Sequence, residues 1–189
     1  MIILVNTENL NYRLVAEYLK QKPLVLSTII NICILAFFFL FVTPQFESND
    51  DPAMMAIASG TRLGEPSEFI IFINVFLGLG LKTLYSLVPE LNWYVIMLYS
   101  FQLLAMIVLL YSLLKYNKVI NSVVCYILFV LFFQVYFMNN LQFTSTAFLL
   151  GISGILLLLQ FDEQDNRHHC WYTVIAGITL LVLAGLVRS

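Results

Sequence analysis

The sequence predicts an all-α membrane protein with about five transmembrane helices and one further helix at the outer membrane surface. Of its 189 residues, 61% are hydrophobic and only 11% are charged, whereas charged residues make up about a quarter of a soluble globular domain. The mean hydropathy is +0.91, and the apolar residues are concentrated in long uncharged runs. The net charge of −2 is small and dispersed, so no nucleic-acid partner is expected.

The length of the apolar runs predicts where the chain crosses the bilayer. A spanning helix needs about 20 mainly apolar residues. Four uncharged runs meet this requirement and a fifth is at the short limit: 24–46, 93–114, 119–138, 141–161 and 171–187. Before them, residues 1–22 carry Leu10, Leu14 and Tyr18 at helical spacing, which predicts an amphipathic segment on the inner surface. We therefore expect this segment followed by a single transmembrane domain over 23–189.

The apolar run 69–88 decides the topology because Lys82 interrupts it. If this run does not cross, six Lys and Arg residues lie inside and two outside, with Lys82 at the outer surface. If it crosses, the basic residues divide four to four. Inner loops carry an excess of Lys and Arg, so the first arrangement is favoured. It predicts an inside N-terminus and an outer loop over 47–92 that contains an interfacial helix.

Within that run, Asn74, Gly78 and Lys82 recur every four residues and form one polar or small stripe on a predicted helix. Such a stripe is typical of an interfacial helix whose lysine reaches the lipid headgroups. In the alternative interpretation, Lys82 faces a cavity shared with acidic residues and contacts a phosphate. The stripe should in either case face protein or water.

The acidic pair Asp50-Asp51 lies just beyond the first apolar run. A carboxylate at the mouth of a span stays ionised and could act as a base or metal ligand towards a lipid-linked substrate. Pro52 fits the first position of a short helix that should end at Gly60, with one aspartate as its N-cap. Capping explains one carboxylate and leaves the other for chemistry, unless both serve only the fold.

Two further polar segments are expected at the same membrane face. The stretch 139–146 contains amides and hydroxyls, including Asn140, that could bind a sugar or phosphate, although such hydroxyls also bond helix carbonyls. Arg188 ends the last run and could bind a phosphate or anchor the helix end. No zinc site is predicted at 168–170, because adjacent side chains rarely converge on one ion.

The order of these features resembles the N-terminal half of the GT-C membrane glycosyltransferases, the class that includes protein O-mannosyltransferases and lipid A aminoarabinose transferases. In that class an acidic residue or pair follows the first span, a juxtamembrane helix comes next, and the second span starts near a proline. A series of short motifs over residues 24–189 is also similar to uncharacterised bacterial membrane proteins associated with surface polysaccharide genes: Asn49-Asp50-Asp51, Ser59-Gly60, Gly64-Glu65-Pro66, Phe72-Ile73-Asn74, Leu84-Tyr85, Pro89 and Asn92-Trp93-Tyr94.

The resemblance implies a GT-C-like glycosyltransferase, or its N-terminal module, in the bacterial cytoplasmic membrane. It would transfer a sugar from a polyprenyl-phosphate donor at the outer face. Asp50 or Asp51 would act as general base or hold a divalent cation, Mg²⁺ or Mn²⁺. Asn140 and three cations would bind the substrate, the cations contacting its phosphate: Arg62, Lys82 and Arg188.

Enzymes of this class usually have more spans than five, so further transmembrane segments or a subunit are expected to complete the fold. The leading alternative is a non-enzymatic membrane subunit or truncated remnant whose acidic pair only caps a helix. A small transporter is the third hypothesis, and the lack of ionisable residues in the middle of the runs argues against it.

Overall fold

The computed structural model describes residues 22–116, 119–160 and 167–189, and this part of the chain is mostly helical, as predicted. The amphipathic segment predicted over residues 1–22 lies, except for Lys22, outside the described residues. The helices are α1 Pro23–Phe41, α2 Asp50–Ala58, α3 Val75–Leu87, α4 Trp93–Tyr116, α5 Val119–Phe129, α6 Val135–Asn139, α7 Phe143–Leu159 and α8 Arg167–Val187. A π-helical turn, Val130–Gln134, joins α5 to α6, and two short parallel strands pair: β1 Gln45–Phe46 and β2 Asn140–Leu141.

Helix α4 is the centre of the bundle, because it packs against α1, α5 and α7, while α7 packs along α8. The close approach of α7 and α8 depends on Gly154 and Gly177. A Cβ atom at Gly154 would lie 2.8 Å from the carbonyl oxygen of Gly177. Small residues at helix crossings give membrane helices close van der Waals packing, which partly replaces the hydrophobic effect between helices in lipid.

Backbone hydrogen bonds gather several element ends at one end of the bundle. The strands β1 and β2 join the chain after α1 to the chain after α6. The N–H of Asn74 bonds the carbonyl of Leu186 at 2.9 Å, and the N–H of Ser189 bonds that of Phe72 at 3.1 Å. At about 1.5 Å per residue, α4 carries Lys115 roughly 30 Å from its first turn, to the other end. The predicted topology likewise requires Lys115 to lie at the end of the bundle opposite the acidic pair.

Three helices are long and apolar enough to cross a membrane, namely Pro23–Phe41, Trp93–Lys115 and Ile120–Asn139, which indicates a membrane protein. The apolar parts of the last two helices, Phe143–Leu159 and Trp171–Val187, are shorter. The described residues therefore contain three of the five predicted spans at full length, and the count of five is not confirmed.

The interfacial helix predicted over 69–88 is the 13-residue helix α3, about 20 Å long, which is shorter than the roughly 30 Å hydrocarbon core. It begins at Val75 because the Asn74 side chain accepts a hydrogen bond from the N–H of Phe76 at 3.2 Å. Before it, the chain is in turns rather than helix. The length agrees with a helix that does not cross the membrane.

The π turn aligns a buried stripe made of Tyr126, Val130, Gln134 and Met138. A spacing of four residues exceeds the 3.6 residues of an α-helical turn, so such a stripe would drift around a regular helix. A wider turn absorbs the extra residue and keeps all four side chains on the face that packs inward. The same segment also exposes Leu131, Phe132 and Phe133.

Candidate functional site

The N-terminus of α2 differs from the sequence prediction. The helix begins at Asp50, with Asn49 at the N-cap position and no side-chain capping bond, so Pro52 is its third residue. The prediction that Asp50 or Asp51 caps this helix was therefore wrong. The end of the helix at Ala58, followed by Gly60 at φ +81°, is close to the predicted end. The Asp51 side chain does not cap its own helix because partners on other elements bind it.

Asp51 is completely buried and accepts three hydrogen bonds. Its Oδ1 accepts from the Tyr94 phenol at 2.7 Å and from the backbone N–H of Phe143 at 3.1 Å, and its Oδ2 accepts from the Ser48 hydroxyl at 3.2 Å. Phe143 is the first residue of α7, so the carboxylate satisfies an N–H that has no partner within that helix. Asp51 thus joins α2, α4 and α7.

Burial is the largest influence on Asp51 and raises the pKa of its carboxyl, while the hydrogen bonds from Tyr94, Phe143 and Ser48 lower the pKa in part. The neighbouring Asp50 raises it further, and no described cation contributes. The predicted cations Arg62, Lys82 and Arg188 are therefore not among the groups that influence Asp51. Their contact with a phosphate beside a reactive carboxylate stays a prediction.

Asp50 differs from Asp51 in its surroundings, because its side chain is exposed. The two carboxylates therefore do not form a chelating pair. Among the described residues, no group of three or more His, Cys, Asp or Glu side chains could hold a metal ion. Since Oδ1 of Asp51 already accepts two hydrogen bonds, the pair fits a divalent cation poorly, and of these two carboxylates only that of Asp50 is accessible.

Lys82 forms an ion pair with Glu68, with 2.7 Å between Nζ and Oε2. This contact lowers the pKa of the Glu68 carboxyl. One turn earlier, Gly78 lies so close to the backbone of Glu68 that an added Cβ would overlap its carbonyl oxygen. The predicted stripe of Asn74, Gly78 and Lys82 thus faces the loop before α3, which confirms that it faces protein.

The structure places the remaining predicted residues at the same end of the bundle as Asp50. Arg62 and Arg188 have exposed side chains, and Asn140 lies in β2, its amide nitrogen 3.2 Å from the carbonyl of Tyr136. Arg188 lies beside the Ser189–Phe72 backbone bond. There Phe72 has a left-handed φ of 64° and stacks on Phe143, with ring centroids 5.8 Å apart.

Two cavities near this end involve residues that sequence reasoning missed. One, of about 230 Å³, has amide and phenol groups in its wall, contributed by Gln45, Asn92 and Tyr99. The other, of about 480 Å³, is an apolar groove beside α1. Of the polar side chains in these walls, only Asn92 belongs to a motif singled out in the sequence, because the walls come from segments far apart in sequence.

Sequence reasoning also missed a buried polar network inside the bundle. Gln102 donates to the Thr146 hydroxyl at 3.1 Å and accepts from the Gln134 amide at 3.4 Å. The Tyr126 phenol donates to the side-chain oxygen of Asn31. These amides within uncharged runs were visible in the sequence. Interhelical hydrogen bonds of this kind hold membrane helices together.

Comparison of the chain with protein-family models, with curated proteins and with solved structures finds no match in any of the three. What the fold and site define is a class: a helical protein with three helices long and apolar enough to cross a membrane, and with a buried carboxylate junction at one end of its bundle. The exposed carboxylate of Asp50 and two exposed arginines, Arg62 and Arg188, lie at that end.

Proposed function

We propose that the chain is a GT-C-like glycosyltransferase module in which Asp50, and not Asp51, is the reactive carboxylate. One observation carries the proposal: two adjacent aspartates have opposite surroundings. Asp51 is buried and accepts three hydrogen bonds, two of which, from Tyr94 and Phe143, fix α2 to α4 and α7, whereas Asp50 is exposed. A group that must reach a substrate needs access and a rigid support, and Asp51 supplies that support.

The order of elements also supports this proposal. A long apolar helix, α1, is followed by an acidic pair at the start of the short helix α2 and then by the short helix α3. Pro89 lies in the turn that leads to the second long helix, α4. The resemblance predicts the same order for the N-terminal half of a GT-C enzyme, with further transmembrane segments completing it.

The proposed reaction transfers a sugar from a polyprenyl-phosphate carrier to an acceptor hydroxyl at the outer face of the bacterial cytoplasmic membrane. Asp50 accepts the hydroxyl proton as the acceptor oxygen bonds the anomeric carbon. The bond from that carbon to the phosphate oxygen breaks, and polyprenyl phosphate leaves with the electron pair. Arg62 and Arg188, both exposed, are the cations proposed for this phosphate, because Lys82 already pairs with Glu68.

A second candidate is a non-enzymatic membrane subunit. Two of the charged groups expected at the site, Lys82 and Asp51, make contacts that stabilise the fold, and this observation favours the subunit. In this case Asp50 is a solvated surface carboxylate, and its charge matters little.

The adjacent substitutions Asp50→Asn and Asp51→Asn distinguish the two candidates, because they make the same chemical change in opposite surroundings. Each variant is expressed in the membrane with the partners present in the cell, and release of polyprenyl phosphate from polyprenyl-phosphate-linked hexose is measured. For the enzyme we expect Asp50→Asn to lower turnover by about 100-fold or more. Asp51→Asn should retain turnover, because an amide oxygen can still accept from Tyr94 and Phe143.

Insertion and melting temperature are measured in parallel to separate loss of chemistry from loss of folding. If Asp50→Asn is as active as the wild type, Asp50 is rejected as the base. If wild-type membranes release no polyprenyl phosphate from polyprenyl-phosphate-linked hexose, the non-enzymatic subunit is favoured.

A further inference from the structure

A small cavity of about 10 Å³ lies between α1, α4 and the segment formed by the π turn and α6. This volume is about the space that one water molecule requires. Three amide side chains form its polar wall, namely Asn31 of α1, Gln102 of α4 and Gln134 of the π turn, and all three are buried. The rest of the described lining is apolar. We call this volume the amide cavity.

The orientation of the Gln102 amide follows from its partners. The Thr146 hydroxyl donates its proton to the carbonyl of Gln142 at 2.9 Å, so its oxygen accepts from the Gln102 nitrogen at 3.1 Å. The same nitrogen lies 3.4 Å from the carbonyl oxygen of Phe137, which can only accept. The Gln102 oxygen therefore remains for Gln134, whose nitrogen donates to it at 3.4 Å.

This orientation leaves the Oε1 atom of Gln134 without a hydrogen-bond donor among the described residues. Reversing the amide would not help, because it would bring the Gln134 oxygen against the Gln102 oxygen. Gln134 is only 2% exposed, so bulk water does not supply the missing donor. A buried acceptor without a partner costs free energy, because the hydration lost on folding is not replaced. Gln134 therefore requires a donor from a bound molecule.

Asn31 contributes a second amide oxygen of fixed orientation. Its nitrogen donates to the carbonyls of Ser27 at 2.9 Å and Met106 at 3.3 Å, and its Oδ1 accepts from the Tyr126 phenol. An amide oxygen can accept two hydrogen bonds, so the oxygens of Asn31 and Gln102 can each accept one more. Among the described residues, the amides that line the cavity thus have more acceptor than donor capacity left.

We propose that the amide cavity binds one water molecule, which donates one hydrogen bond to Oε1 of Gln134 and the other to the amide oxygen of Asn31 or Gln102. Water suits this balance because it brings two donors, and buried waters bind where two to four polar groups surround them. The water joins the π turn to a neighbouring helix. A sodium ion would contact the same oxygens, but it would bring a charge into an apolar interior whose described lining contains no carboxylate.

Solid-state NMR of the isotope-labelled wild-type protein in phosphatidylcholine bilayers tests the proposal. Magnetisation is transferred from water protons to the protein, and the side-chain amide of Gln134 is observed after sequential assignment. We expect transfer to this amide although it is buried. The control group is the backbone N–H of Leu150, a residue that is equally buried but does not line the cavity, and it should receive no transfer.

The substitution Gln134→Met tests whether the water depends on the unpartnered acceptor, because it keeps the length of the side chain and removes the amide. The side-chain amide of Asn31, which lines the same cavity, should lose its transfer from water in this variant. Gln45→Met is the matched control. It makes the same substitution at an exposed amide outside the cavity lining, and transfer to Asn31 should persist.

Absence of transfer to Gln134 in the wild type would show a dry cavity and overturn the proposal, and this result needs no variant to fold. Unchanged transfer to Asn31 in folded Gln134→Met would also overturn it. Thermal unfolding in sodium chloride and in choline chloride at equal ionic strength separates water from sodium. We expect equal melting temperatures, and a higher melting temperature in sodium chloride would assign the cavity to the ion. None of these results bears on Asp50, so this proposal and the proposed transferase activity fail separately.

Discussion

The phenol of Tyr94 donates a 2.7 Å hydrogen bond to the carboxylate of Asp51, and both side chains are completely buried. The bond links the start of α2 to the first turn of α4. Because the same carboxylate oxygen accepts the N–H of Phe143, one acceptor fixes the relative position of three helices. Of the two aspartates that the sequence nominated for chemistry, Asp51 is therefore part of the framework and Asp50 is the accessible group.

Asp51→Ala should lower the free energy of unfolding by about 1–3 kcal/mol, because it leaves the Tyr94 hydroxyl and the Phe143 N–H buried without an acceptor. Asp51→Asn should stay within about 1 kcal/mol of wild type, since its amide oxygen can accept both bonds. Unfolding in mixed detergent micelles, followed by circular dichroism, measures the difference. Asp50→Ala is the matched control at an exposed position, and equal stability of the two alanine variants would contradict the assigned role of Asp51.

The pH dependence of stability follows from the raised pKa of the buried Asp51 carboxyl. A group whose pKa is higher in the folded than in the unfolded protein stabilises fully below the unfolded value of 3.8 and loses this contribution as pH rises through its folded pKa. The stability of the wild type relative to Asp51→Asn should therefore fall as pH is raised from about 3.5 towards 7. Detergent unfolding at a series of pH values tests this.

Glu68 has the opposite tendency, because Lys82 lowers the pKa of its carboxyl and its contribution is lost as pH falls. Because Glu68 is present in both the wild type and Asp51→Asn, its contribution cancels in the difference between their stabilities. If the wild type instead becomes more stable relative to Asp51→Asn as pH rises, the raised pKa assigned to the Asp51 carboxyl is contradicted.

Gly78→Ala should destabilise the contact between α3 and the loop before it. The new Cβ would overlap the carbonyl oxygen of Glu68, and a backbone atom cannot move aside as a flexible side chain can. We expect a cost of about 1–3 kcal/mol, as for other overpacked sites, measured by thermal unfolding. Gly80→Ala is the control on the same helix, because its Cβ would enter open space; it should be neutral or stabilise by up to about 1 kcal/mol. Equal effects of the two substitutions would refute the close contact at Gly78.

Substituted-cysteine labelling tests the membrane topology. The structure places the acidic pair, Lys82 and Asn140 at one end of the bundle and Lys115 at the other. In a background without native thiols, a membrane-impermeant maleimide added from outside should label a cysteine at position 50, 82 or 140 and spare one at 115 or 167. Labelling at position 115 would reject the arrangement in which α3 does not cross.

The sequence determined the class of protein and the positions of most helices, because long uncharged apolar runs separated by short polar segments leave few alternatives in a membrane. It also predicted that α3 would not cross, since Lys82 divides its apolar run. The start of α2 required the tertiary structure. The position of Pro52 predicted that Asp50 or Asp51 would be the N-cap, but the helix begins at Asp50. The Asp51 side chain accepts hydrogen bonds from the Tyr94 phenol and the Phe143 N–H, both distant in sequence, instead of capping its own helix.

The roles within the acidic pair could not be read from the sequence, because Asp50 and Asp51 are identical in type and adjacent. Their difference arises from burial and from contacts with Tyr94 and Phe143, which lie 43 and 92 positions away from Asp51. The two cavities near this end were hidden for the same reason, since their walls come from α1, the chain after it, the π turn and the start of α4. Sequence alone determines which segments prefer an apolar environment. Which polar groups remain accessible was decided only when the helices packed, because burial depends on neighbours that folding brings together.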